Sequence, residues 1–156
     1  MKFYADEMLG KLARWLRMCG MDVRYQNQVE DAHLLEISRK EKRVVLTRDT
    51  RLIKNLEPDE YLFISHDYLE DQFTEFFKEF PQLKTKLQPL SRCAECNTSL
   101  QEIQKSEVKD KVWPFVFQNQ EKFTLCPQCD RIYWKATHVN KILSRLDRLL
   151  QPSEKT

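Results

Sequence analysis

Apolar positions in the first half of the chain follow two alternating periods. Phe3-Tyr4-Ala5, Asp22-Val23-Arg24-Tyr25, Val44-Val45-Leu46-Thr47 and Tyr61-Leu62-Phe63-Ile64 have the length and composition of strands. Between the first two, Met8, Leu9, Leu12, Trp15 and Leu16 recur at helical spacing, with Gly20 as a C-terminal stop. Asp31 is expected to cap a second helix reaching Lys40, with Leu34, Leu35 and Ile37 turned inward. A third helix carries Phe73, Phe76, Phe77 and Phe80 along one side. The order strand, helix, strand, helix, strand, strand, helix predicts a three-layer α/β/α domain with a mostly parallel sheet over residues 1–88. The unbroken apolar run 44–47 is of the kind such a sheet buries on both faces.

After Gln88-Pro89-Leu90-Ser91 the pattern changes. Cys93-Ala94-Glu95-Cys96 and Cys126-Pro127-Gln128-Cys129 form two CxxC knuckles separated by 29 residues. Two knuckles complete a tetrahedral Cys₄ shell, so Cys93, Cys96, Cys126 and Cys129 are expected to hold one structural zinc ion. A β-hairpin between them absorbs the long separation, and the segment 89–140 reads as a zinc ribbon. Trp113-Pro114-Phe115-Val116-Phe117 is expected to be its apolar filling. A module this poor in apolar residues needs the metal, which contributes on the order of 10–16 kcal/mol. Two disulfides are the competing reading, disfavoured in a reducing compartment; neither CxxC follows a strand as in a thioredoxin-like site. Cys19 reads as a buried small hydrophobe. Residues 141–156 form a last helix and tail, whose Ile142, Leu143, Leu146, Leu149 and Leu150 share one side.

Composition permits this picture without adding to it. Apolar residues make up 41% and charged residues 32% of the 156, enough for a core under a solvated surface. No apolar run approaches the roughly 18 residues of a membrane span, so no membrane partner is expected. The start, Met1-Lys2-Phe3-Tyr4-Ala5-Asp6, lacks the apolar core of a signal peptide, and a cytoplasmic protein is expected. Charge is uneven: residues 1–54 carry 12 Lys/Arg against 8 Asp/Glu, 55–90 carry 3 against 8, and 91–156 carry 11 against 8. Two mildly basic ends permit a nucleic-acid partner but do not require one.

The acids give the chemistry. Ligand sites of open α/β sheets lie at the carboxyl ends of strands. Asp6 follows the first predicted strand, Asp49 follows the third, and Asp31 opens a helix. A pair of carboxylates about 4 Å apart repels by about 4 kcal/mol in a surface-like dielectric. A divalent cation removes that cost, and hard oxygen donors with room for water point to Mg²⁺ or Mn²⁺. Lys11 and Arg14 lie on one face beyond Glu7, and Arg48 and Arg51 bracket Asp49, as suits a phosphate-bearing substrate. Each acid alone would read as a helix cap, and each cation as ordinary surface charge.

Phe3-Tyr4-Ala5-Asp6-Glu7-Met8-Leu9-Gly10-Lys11-Leu12-Ala13-Arg14-Trp15-Leu16-Arg17 closely resembles the opening signature of the Mut7-C RNase domain family, a PIN-like ribonuclease domain with a C-terminal zinc ribbon. The likeness continues through Glu30-Asp31-Ala32-His33-Leu34-Leu35, Val45-Leu46-Thr47-Arg48-Asp49-Thr50-Arg51-Leu52, both knuckles and Arg131-Ile132-Tyr133-Trp134-Lys135-Ala136-Thr137-His138. It implies metal-dependent hydrolysis of RNA phosphodiester bonds, with endonucleolytic cleavage expected and Asp6, Asp31 and Asp49 holding the metal. Glu7 is a weaker candidate, and a fourth acid would be Asp67 or Asp71. Lys11, Arg14, Arg48 and Arg51 would grip phosphates, and Trp134 and His138 would meet RNA from the ribbon. Transfer or ribosomal RNA are the candidate substrates. Ala136 departs from the glycine often found there in the family.

Two readings of different class follow. One is the metal-dependent ribonuclease; the other is a non-catalytic RNA- or ribosome-binding adaptor on a PIN-like fold. Tyr133 and Trp134 would stack bases in either, or fill the ribbon's own small core. A toxin of a toxin–antitoxin pair shares the nuclease chemistry but rarely carries a ribbon. The sequence is silent on RNA preference, on one-metal against two-metal chemistry and on oligomeric state.

Overall fold

The computed structural model describes residues 1–151, with the side chains of Thr137, His138 and Leu150 outside that description. Four strands, β1 (Lys2–Ala5), β2 (Asp22–Tyr25), β3 (Arg43–Thr47) and β4 (Tyr61–Phe63), form one sheet in the order β2-β1-β3-β4. All pairings are parallel, with Phe3 beside both Val23 and Val44, and Leu46 beside Leu62. The helices α1 (Gly10–Met18), α2 (Asp31–Glu41) and α3 (Leu69–Glu79) complete the predicted α/β/α layers.

Alternation along the central strands sorts the two cores. Phe3, Ala5 and Leu46 face α1 and α3, where Leu9, Leu12, Leu16, Phe73, Phe76 and Phe77 are fully buried. Tyr4 and Val45 face the other way, onto Leu34 of α2 and onto Leu52 and Leu56. The phenylalanines of α3 pack edge to face against one another and against Phe3, at centroid separations near 5 Å. Trp15 meets Phe73 in the same way, at 5.3 Å. Such pairs contribute about 0.5–1.5 kcal/mol beyond burial.

Two local details differ from expectation. The first predicted helix opens as a 3₁₀ turn (Glu7–Leu9) and becomes α-helical only at Gly10. Asp31 is the first residue of α2 rather than its cap, which is Glu30 and makes no side-chain capping bond. Gly20 does end the α1 region, at φ +93°, where a Cβ would come within 2.5 Å of the Gln88 carbonyl oxygen. The junction segment crosses there, with Gln88 N–H donating to Cys19 O and Leu90 N–H to Met18 O, both at 3.0 Å.

The ribbon carries a second, antiparallel sheet of β5 (Gln101–Ile103), β6 (Phe123–Leu125) and β7 (Ile132–Tyr133) in that order. A short helix, α4 (Pro114–Asn119), lies between β5 and β6. Its surroundings correct the reading of 113–117 as core in part: Trp113 is 79% and Phe115 73% exposed, while Val116 and Phe117 are half-buried. Val108, Phe123, Cys93 and Cys126 are buried in the ribbon, so its filling comes from the turn after β5, from β6 and from the knuckles. The last helix, α5 (Thr137–Leu150), returns to the first module and buries Val139, Ile142 and Leu146 in the α1–α3 core. No helix among the described residues is long and apolar enough to cross a membrane.

Candidate nuclease site and cysteine cluster

β1 and β3 are neighbours at the centre of the sheet, yet the connections leaving them go to opposite faces, α1 on one and the Leu52–Leu56 turn on the other. This is the switch point at which a crevice opens outside the carboxyl ends of the strands. Asp6 and Asp49 stand at its two sides. A small cavity of about 40 Å³ is lined by Asp6, Glu7, Asp31 and Asp49, with Met8, Val29, Leu34 and Leu52.

Asp6 is held firmly. It is 6% exposed, and its Oδ1 accepts from Met8 N–H at 3.0 Å. Its Oδ2 accepts from Arg48 N–H at 3.0 Å and from the hydroxyl of Thr47. Thr47 in turn accepts from Asp49 N–H at 2.9 Å, so one fully buried hydroxyl links the two strand-end acids. Asp49 Oδ1 accepts from Arg51 N–H at 2.8 Å, which fixes the turn after β3. Glu7 is tied to β2: the Tyr25 hydroxyl donates to Glu7 O at 3.0 Å, and a Cβ at Gly10 would lie 2.9 Å from the Tyr25 ring. Neither Thr47 nor Tyr25 stood out in the sequence, because both read as ordinary strand residues.

The cations are arranged less simply than their spacing suggests. Arg48 pairs with Asp67 through Nη2, while its Nη1 is buried without a hydrogen-bond partner. Lys11 and Arg51 are exposed. Arg14 forms an ion pair with Glu95 of the first knuckle and faces the ribbon, outside the acidic cavity. Asp67 thus sits beside the site through Arg48, whereas Asp71 is exposed in the first turn of α3. Trp134 is half-buried against Phe123, with ring centroids 6.4 Å apart. The side chain of His138 lies outside the described residues.

The cysteine cluster is compact. Cys93, Cys96, Cys126 and Cys129 are free thiols whose sulfurs all lie within 4.8 Å of one another. Cys93 Sγ lies 3.5 Å from Cys129 Sγ, and Cys96 Sγ 3.4 Å from Cys126 Sγ. Four sulfurs about 2.3 Å from a common centre have comparable spacing, so the donor set fits a metal such as zinc. Burial raises the Cys96 thiol, but hydrogen bonds with Thr98 and neighbouring sulfurs outweigh it and bring the pKa down to about 6. Burial dominates at Cys126 and pushes it up to about 12. Burial likewise holds Cys19, which is not part of the cluster, at about 12, in keeping with its reading as a small hydrophobe. Among the described residues, only the four cysteines bring three or more potential ligand atoms this close; the carboxylates share a cavity at wider spacing.

The knuckle is stitched to the first module. The buried Arg17 of α1 donates to Val23 O at 2.7 Å, Ala94 O at 3.0 Å and Glu95 O at 3.1 Å. Asn97 accepts from Val23 N–H at 3.1 Å and donates to Asp22 at 2.7 Å. Tyr133 lies against the same knuckle, its hydroxyl accepting from Ala94 N–H at 3.0 Å and lying 3.0 Å from Cys93 Sγ.

A parallel sheet with paired acids at its switch point, continued into a four-cysteine ribbon, agrees with the comparison of the whole chain against family models. The model of the Mut7-C RNAse domain matches residues 1–146. The chain belongs to the Mut7-C RNAse domain family. No curated protein and no solved structure matches it significantly. Membership suggests ribonuclease activity and implies an RNA substrate, and it spans both the α/β module and the ribbon.

Proposed function

We propose that this Mut7-C chain is a divalent-metal-dependent ribonuclease, cleaving RNA endonucleolytically at the crevice between β1 and β3. One observation carries the reading: Asp6, Asp31, Asp49 and Glu7, from three separate parts of the chain, line one cavity at the switch point. Asp6, Asp31 and Asp49 would hold Mg²⁺ or Mn²⁺, since hard carboxylate oxygens with room for water suit those ions. Such an ion supplies an activated water and neutralises charge developing on the phosphoryl group.

The chain's own residues do the positioning. Thr47 and the N–H groups of Met8 and Arg48 hold Asp6 in one orientation. The Asp49–Arg51 turn holds the second acid. Arg48, whose amide binds Asp6 and whose guanidinium pairs with Asp67, would supply a cation for a phosphate once that pair opens. Lys11 and Arg51, both exposed, are suited to flanking phosphates. The four cysteines would hold a structural zinc ion, coordinatively closed and apart from this chemistry.

The adaptor reading draws on the wider spacing of the carboxylates. Incubating the chain with single-stranded and structured RNA plus Mn²⁺ or Mg²⁺, beside an Asp6→Asn/Asp49→Asn variant, separates the two. Cleavage by the native chain alone is expected. Cleavage by neither supports the adaptor, and cleavage by both marks a contaminant and leaves the proposal without support. Metal analysis should find the same zinc content in both proteins.

A further inference from the structure

A cleft of about 620 Å³ lies where the C-terminal half of α1 meets the ribbon. Its volume is in the range of sites that enclose a small ligand. The floor is apolar, made by Met18, Val112 and Ile132. Tyr133 and Trp134 form an aromatic wall, and Arg14, Lys111 and Arg131 stand in the same lining. Two acids are also present: Glu95, already paired with Arg14, and Asp130. Trp113 directly follows the lining residues Lys111 and Val112 in the chain, and it and Phe115 are among the most exposed large apolar residues. Half-buried Tyr133 and Trp134 with cations in the same lining match a strand that presents flat bases and charged phosphates in alternation.

We infer that this cleft and its Trp113 edge form a binding site for single-stranded RNA, the bases stacking on Tyr133, Trp134 and Trp113 and the phosphates meeting Arg14, Lys111 and Arg131. This rests on the nuclease reading for its substrate class and assigns the grip to a place remote from the acids. Arg14 lies about 10–12 Å along the helix from Glu7, by the rise per residue. One extended strand of a few nucleotides reaches both places. Duplex RNA, whose bases are already stacked on each other, has no faces to offer this wall.

Fluorescence anisotropy of labelled RNA tests this on the full chain supplied with zinc and no added Mg²⁺ or Mn²⁺. The probes are a single strand of about ten nucleotides and the same sequence as a duplex. Trp113→Ala and Lys111→Glu/Arg131→Glu change exposed side chains, so neither depends on the core for folding. Each is expected to weaken single-strand binding about tenfold. The charge variant should also flatten the salt dependence, and the tryptophan variant should not. Lys40→Glu/Lys78→Glu, exposed on α2 and α3, is the charge-matched control and should bind as the native chain does. Equal loss in the control, no loss in either cleft variant, or tighter binding of the duplex overturns the inference. Cleavage is scored separately with Mn²⁺. Binding through the cleft without cleavage overturns the nuclease reading alone, and cleavage with unaffected binding overturns the cleft alone.

Discussion

Thr47 shows how much of the site rests on a side chain with no chemistry of its own. Its hydroxyl is fully buried, donates to Asp6 and accepts from the Asp49 amide. Thr47→Val keeps the shape and removes both bonds, leaving a buried amide and a carboxylate oxygen each short of a partner. Unmade bonds of this kind cost about 1–3 kcal/mol. Urea unfolding should therefore show a loss of that order, and cleavage should fall, while zinc content stays the same. Thr47→Ser restores the hydroxyl and should recover most of the cleavage rate. A valine variant with native activity would show that the two acids need no link. That Asp6, Asp31 and Asp49 share one end of the sheet was legible in the sequence, from their places after two strands and at the start of a helix. Thr47 was not: a threonine closing a buried strand is also what β propensity alone would place there. Arg14, a phosphate candidate by its helical spacing, lines the cleft at the ribbon, paired with Glu95, and not the acidic cavity.

Asp22 ties elements together at the edge of the sheet. Its carboxylate accepts from Arg43 at 2.7 Å and from Asn97 at 2.7 Å, joining β2 to β3 and to the first knuckle. Burial raises its pKa, but these two bonds and the charges of Arg43 and Arg92 outweigh it, so the folded value lies below the usual one. A depressed folded pKa stabilises above the unfolded value of about 3.9, and the contribution is lost as pH falls through the folded value. Asp22→Asn should therefore be less stable than the native chain at neutral pH, and the gap should close in acid below about pH 4. Paired urea titrations over that range check it, and a gap independent of pH would mean the charge contributes nothing. At this scale the strands and helices were readable from their two periods, since each buries one patterned face. The ribbon's filling was not. An apolar run such as 113–117 has the composition of a core whether it packs or faces water, and here Val108 and Phe123 occupy the interior instead.

The whole molecule is expected to fold as one unit, because of where the chain returns. The ribbon leaves the first module at the Gln88–Ser91 junction and re-enters it as α5, whose Val139, Ile142 and Leu146 are buried beside α1 and α3. Lys84 donates to Leu149 O at 2.9 Å, fixing the far end of that helix. Arg17 and Asn97 bind the first knuckle to α1 and β2 over 74–78 residues of sequence, contacts no local pattern could reveal. A metal held by the four cysteines would therefore support more than the ribbon. Without it the knuckles would lose the bonds that shape them, Arg17 would lose two carbonyl partners in a buried setting, and α5 would lose its upstream anchor. Removal of the metal by a chelator should lower the melting temperature of the entire chain, with hydrogen exchange rising in α1 and α5 as well as around the cysteines. Structural metal contributes on the order of 10–16 kcal/mol in isolated fingers, more than the total stability of about 5–15 kcal/mol usual for a domain, so the shift should be large. Restoring zinc should reverse it. Exchange that rises only between Cys93 and Tyr133, with α1 and α5 protected as before, would show that the first module stands alone and that the ribbon is an appendage to it.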